Sequence, residues 1–173
     1  MPENQKEIQI QKIRQSSERL VSDLKRLNRT ITAVESCTGG MVAASLTSVA
    51  GSSSVFQRSF VTYCDQAKHD LAGVRKKTLR RHTAVSPETA AEMAKGGARR
   101  AKADICISVT GYAGPPSGDE SEEAGLVYIG CRCKKKTKVK EFHFDGDREA
   151  VRLAACAEAL AMAEKALKKW ETH

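Results

Sequence analysis

Residues 31–40 read Ile-Thr-Ala-Val-Glu-Ser-Cys-Thr-Gly-Gly and lead directly into an Ala-rich apolar segment, Met41 to Val49, that ends at Gly51. A short apolar run followed by a hydroxyl-rich glycine turn and then a helical segment predicts a buried strand that turns tightly into a helix. Such a unit needs cover on both faces of its strand and therefore favours a layered α/β fold. It also places a serine, Ser36, where main-chain N–H groups lack helical partners, so the turn can hold a phosphate, an oxyanion or a nucleophile.

The rest of the chain repeats the alternation. Ile10, Ile13, Leu20, Leu24 and Leu27 recur at helical spacing, predicting an amphipathic helix over about 8–28 that packs onto the domain. Thr30–Val34 reads as a buried strand, Thr38–Val49 as a helix and Val55–Tyr63 as a strand. Asp65–Leu71 and Thr78–His82 read as short helical turns. Ser86-Pro87-Glu88 opens a helix to about Lys102, with a capping hydroxyl, proline at the first helical position and acid in the first turn. Asp104–Thr110 is a second buried strand, broken at the Gly111–Pro116 loop. Leu126–Cys133 and Val139–Phe144 predict a hairpin around a lysine-rich turn, and Glu149–Trp170 a long closing helix with Cys156, Leu160, Ala163, Leu167 and Trp170 on one stripe. We expect one domain over residues 1–173, a three-layer α/β/α sandwich with a mixed sheet. Ligands of such sheets bind beyond the strand ends, where Ser36, Tyr63 and Thr110 fall.

Composition excludes several classes. No apolar run reaches the roughly 18 residues of a membrane span, and Met1–Glu7 has no apolar signal region. We therefore expect a soluble cytoplasmic protein with reduced thiols. The six cysteines form no CxxC pair, and none of the four histidines stands at zinc spacing from them, so we expect no metal. The net charge of +8 comes in blocks, Arg75–Arg81 and Arg132–Lys140. Aromatics make up only 5% of residues, too few for single-strand stacking platforms, and the second block sits at the hairpin turn. The charge therefore points to anionic small molecules rather than nucleic acid. Oligomeric state stays open, a homo-oligomer included.

Ser36 reads either as a helix cap or as a nucleophile, since a strand-to-helix turn projects its hydroxyl beside N–H donors. The segment is not G-x-S-x-G, and no His-Asp pair stands out as its partner. A lysine base is the alternative: Lys68, just past a strand end, is either a solvated helix lysine or a partly buried amine able to lose its proton near neutral pH. Tyr63 would relay the proton or hold the lysine. Cys37 is a rival nucleophile if its surroundings lower the thiol pKa, and Cys64, beside Tyr63, has the same requirement. The Thr110–Pro116 loop reads as a plain connection or as a clamp whose amides face an anion. Arg148, beside a capping Asp147, reads as a surface arginine or as a planar fork for phosphate or carboxylate.

Taken together, Ala33-Val34-Glu35-Ser36-Cys37-Thr38-Gly39-Gly40, Val49-Ala50-Gly51-Ser52-Ser53, Tyr63-Cys64-Asp65-Gln66-Ala67-Lys68, Ala84-Val85-Ser86, Val109–Pro115 and Gly146-Asp147-Arg148 resemble the CinA C-terminal domain family of nicotinamide-nucleotide amidases over roughly residues 10–170. The resemblance implies a compact α/β domain that hydrolyses nicotinamide mononucleotide to nicotinate mononucleotide and ammonia without a cofactor. It implies Ser36 as nucleophile, Lys68 as its base and Tyr63 assisting. Glu35, Thr38, Gly39, Gly40, Thr110, Gly111 and Arg148 are then expected to contact the substrate, with an oxyanion held near Gly39 and Gly40 or in the Gly111 loop. The chain departs from the family pattern at Asp65, at Tyr112 and in the acidic stretch Pro116–Glu123. These departures carry the alternative reading, a catalytically altered module that binds a nucleotide or a protein.

Overall fold

The computed structural model describes residues 3–115 and 123–171. Its five strands are β1 (Ile31–Glu35), β2 (Phe60–Val61), β3 (Ile105–Gly111), β4 (Leu126–Cys133) and β5 (Lys136–His143), in the spatial order β2-β1-β3-β4-β5. β2 and β3 run parallel to β1, while β4 and β5 are antiparallel to their neighbours, so the sheet is mixed. The helices are α1 (Glu3–Arg26), α2 (Met41–Thr47), α3 (Asp65–Ala72), α4 (Lys76–His82), α5 (Pro87–Ala101) and α6 (Arg148–Glu171). One face of the sheet packs α1, α2 and α6 around Leu20, Leu24, Leu46, Ile105, Ile107, Ile129, Leu160 and Leu167. The other packs Ala72 of α3 and Met93 and Ala98 of α5 on Val34 and Cys106. The chain thus forms the expected α/β/α sandwich. None of the described helices is long and apolar enough to cross a membrane.

Local chemistry sets the element limits. β1 and β3 are buried on both faces, which is why their sequences read as continuous apolar runs rather than alternations. Ser86 caps α5, its Oγ accepting from Thr89 N at 3.2 Å with Pro87 next in line. α5 can approach the rest of its layer closely because a Cβ at Gly96 would overlap the Ala72 carbonyl. Cys156, Leu160, Ala163 and Leu167 form the buried stripe of α6, with Trp170 half-buried at its end and the cations of Arg29 and Lys134 over its ring. All six cysteines are free thiols.

Three expectations change. Val55–Tyr63 is not one strand. Ser52–Ser54 makes a 3-10 turn, Val55 and Phe56 plug the core, and only Phe60–Val61 pairs with β1. α2 starts at Met41 rather than Thr38, because Gly39 and Gly40 adopt φ of +59° and +98° and spend the preceding residues on a turn. Ile10 lies outside the buried stripe of α1, which runs through Ile13, Leu20, Val21 and Leu24 and packs against α6 and α2.

Candidate active site

The C-terminal ends of β1 and β3 meet the start of α3 and of α6. Ser36 follows β1 directly, and its N–H donates to Val109 O at 2.9 Å, pinning it to β3. Lys68 lies on α3, and its Nζ donates to Ser36 Oγ at 3.1 Å and to Thr62 O at 3.0 Å, with Tyr63 O at 3.5 Å. Thr62 is in turn fixed to β1 by its N–H to Glu35 O at 2.7 Å. Lys68 is only 1% exposed, among the largest fully buried side chains. Burial holds its pKa below the usual lysine value of 10.5, opposed by the negative charge of Asp65. A buried amine with a depressed pKa, in contact with a serine hydroxyl, can take that hydroxyl's proton.

Cys37 is not arranged for attack. Its thiol is buried, and burial pushes it up to about 11, leaving little thiolate at neutral pH. Cys64 is exposed at the N-cap of α3.

The other expected site residues divide. Tyr63 is 62% exposed, and its hydroxyl accepts from Arg148 Nη2 at 2.8 Å, so only its carbonyl faces Lys68. Arg148 Nη1 donates to Gly114 O at 2.7 Å. The guanidinium thus joins Tyr63, just past the edge strand, to the loop after β3, and among the described residues both of its acceptors are neutral, a setting suited to a further anion. Asp147 caps α6 through Ala150 N at 2.9 Å.

Glu35 faces inward rather than towards a ligand. It is 1% exposed, and its carboxylate accepts from the N–H groups of Gly40 (3.0 Å), Val42 (3.1 Å) and Ala43 (2.9 Å), capping α2 from the strand before it. Gly39 N donates to Ser36 O at 3.0 Å, so neither glycine amide of the turn remains for a substrate. Thr38 is fully buried, and its Oγ1 has no partner among the described residues. Thr110 is also fully buried, with its hydroxyl donating to Ala84 O at 2.7 Å. Gly111 ends β3 against the start of β4. Tyr112 continues that contact, its N–H donating to Leu126 O at 2.9 Å. The acidic stretch lies outside the described residues up to Glu122, while Glu123 binds His143 at 3.0 Å.

One residue of this neighbourhood escaped the sequence reading. Arg152, one turn after Arg148 on α6, donates from Nε to Cys37 O at 3.1 Å and from Nη2 to Thr38 O at 2.9 Å. The available signal was the i, i+4 spacing of two arginines at the start of the closing helix.

Comparisons with known proteins identify the family. The chain is 44% identical to the nicotinamide-nucleotide amidohydrolase PncC of Escherichia coli over 147 residues, 84% of this chain and 89% of that protein. It is also 44% identical to a CinA-like protein of Kosmotoga olearia over 148 residues, and the match spans only 36% of that longer relative. A crystal structure of a CinA superfamily protein from Klebsiella pneumoniae superposes with a TM-score of 0.87 at 34% identity, covering 91% of this chain and 99% of that one. One from Agrobacterium tumefaciens gives 0.86 at 38% identity, covering 90% and 95%. The family model of the CinA C-terminal domain matches residues 13–167, and the chain belongs to that family.

Proposed function

We propose that the protein is an amidohydrolase that converts nicotinamide mononucleotide to nicotinate mononucleotide and ammonia through a Ser36–Lys68 pair. The observation that carries this reading is the buried Lys68 amine, 3.1 Å from Ser36 Oγ, with a pKa lowered by burial. The amidohydrolase name of the Escherichia coli relative supports the reaction class and the nucleotide.

In this reading neutral Lys68 takes the Ser36 proton as Oγ adds to the carboxamide carbon. Lys68 then returns a proton to the nitrogen, the C–N bond breaks, and ammonia leaves an acyl-serine. Water, deprotonated by the same amine, adds to the acyl carbon, and Ser36 is released with its proton restored. Arg148, at the exposed rim, would take the 5′-phosphate as a planar donor fork. A phosphorylated substrate of this kind fits the expected cytoplasmic location.

The test is ammonia release from nicotinamide mononucleotide by the wild type and by Ser36→Ala and Lys68→Met. Turnover by the wild type and its loss in both variants is the expected result. Folded wild-type protein that gains thermal stability from the nucleotide but releases no ammonia would refute the amidase reading in favour of a binding module.

A further inference from the structure

We propose that Arg152 is the positioning residue of an oxyanion site made by the main-chain N–H groups of Cys37 and Thr38. The inference deepens the acyl-serine reading above and rests on it.

An oxyanion formed on attack by Ser36 needs donors beside that hydroxyl. The obvious donors are taken: Gly40, Val42 and Ala43 donate to Glu35, and Gly39 donates to Ser36 O. The Glu35 carboxylate also occupies the positive end of α2. Met41 N donates to Thr38 O at 3.2 Å. The two amides that directly follow the serine, those of Cys37 and Thr38, have no oxygen acceptor among the described residues, the Cys37 N–H having only its own thiol sulfur beside it. They are the donors next to Ser36 that remain for a reacting carbonyl oxygen.

Arg152 holds the peptides that set where both amides point, sharing the Thr38 carbonyl with Met41 N. In a trans peptide the C=O and the N–H are opposed, so fixing one fixes the other. Arg152 Nε holds the Cys37 carbonyl at 3.1 Å, which turns the Thr38 N–H to the opposite side. Arg152 Nη2 holds the Thr38 carbonyl at 2.9 Å, which fixes the Gly39 N–H. That N–H holds the Ser36 carbonyl at 3.0 Å and thereby orients the Cys37 N–H. One planar fork thus sets two successive peptides, a spread geometry that a lysine's compact ammonium does not reproduce. No carboxylate pairs with Arg152 among the described residues, so its charge also remains to favour an anion on the turn.

The test compares Arg152→Ala and Arg152→Lys with the wild type in ammonia release from nicotinamide mononucleotide. We expect kcat to fall by about 100- to 1,000-fold, the loss seen when an oxyanion donor is removed, with KM within about threefold. The midpoint of the pH–rate profile should stay where it is, because Arg152 does not touch Lys68 or Ser36 Oγ. Guanidinium ion should restore part of the Arg152→Ala rate and none of the Lys68→Met rate. Wild-type kcat in either variant, a loss confined to KM, or a displaced pH midpoint would overturn the assignment. If Arg152→Ala does not fold, Arg152→Lys decides by the same readouts. If the wild type is silent on the nucleotide, the amidase reading fails separately. The rate at which a fluorophosphonate labels Ser36, a step that also builds charge on oxygen, then replaces kcat and should show the same loss.

Discussion

Glu35 gives a sharp prediction because a substrate role and a structural role differ in what they would cost. Its carboxylate, 1% exposed, accepts three main-chain N–H groups at 2.9–3.1 Å. Glu35→Ala leaves all three unpaired. Val42 is fully buried, so its orphaned N–H costs about 1–3 kcal/mol. Gly40 and Ala43 are half-buried and regain some water, costing about 0.5–1.5 kcal/mol each. The total, about 2–6 kcal/mol, is a large part of the 5–15 kcal/mol that holds a typical domain folded. At 2–4 °C per kcal/mol for a chain of this size, a loss near 4 kcal/mol lowers Tm by about 8–16 °C. Glu35→Gln keeps the shape but turns an NH2 towards at least one N–H, and should lose about 1–3 kcal/mol. Urea unfolding followed by the fluorescence of Trp170, the only tryptophan, measures both. A Glu35→Gln protein with the wild-type urea midpoint and a KM raised more than about tenfold would rule out the capping role and return Glu35 to the substrate.

Other expectations follow from the same geometry. The rate should rise with pH to a midpoint below 10.5, the ordinary lysine value, and Lys68→Arg should be inactive at every pH because a guanidinium keeps its proton. Native Lys68 loses its proton before the unfolded chain does, so wild-type stability should rise with pH between the native value and 10.5, and Lys68→Met should lack that rise. Tyr63→Phe loses a bond to Arg148, not to Lys68, so kcat should fall less than about tenfold; a loss of 100-fold or more would restore the relay role. Leu160→Ala, at a fully buried position in α6, should cost about 2–5 kcal/mol by urea unfolding, and a cost under 1 would contradict the packing described. Cys64 should react with a thiol reagent well before Cys37, whose buried thiol titrates only at about 11.

The layered fold was legible because β1 and β3 carry unbroken apolar runs and α5 announces itself with Ser86-Pro87. The short β2 was not: Val55–Tyr63 has the composition of a strand, but Val55 and Phe56 are drawn into the core and Arg58 O is held by Thr32 Oγ1 at 2.7 Å, effects of tertiary packing that a local pattern does not contain. The nearness of Ser36, Lys68 and Tyr63 could be expected from strand ends. The directions of their side chains could not. Glu35 lies next to Ser36 in sequence yet points the other way, as alternate strand residues do, and Tyr63 turns its hydroxyl to Arg148. Arg152 contacts residues more than 100 positions away, and only the packing of α6 on the turn reveals it.

Acylation of Ser36 with Lys68 as its base leaves a covalent mark that can be weighed. The most direct measurement is intact-protein and peptide mass analysis of wild type quenched by acid during turnover of nicotinamide mononucleotide. An adduct of the nucleotide minus ammonia is expected on the peptide bearing Ser36, absent in Ser36→Ala and in Lys68→Met. Ammonia release at the wild-type rate by Ser36→Ala, or an adduct on any other residue, would contradict it.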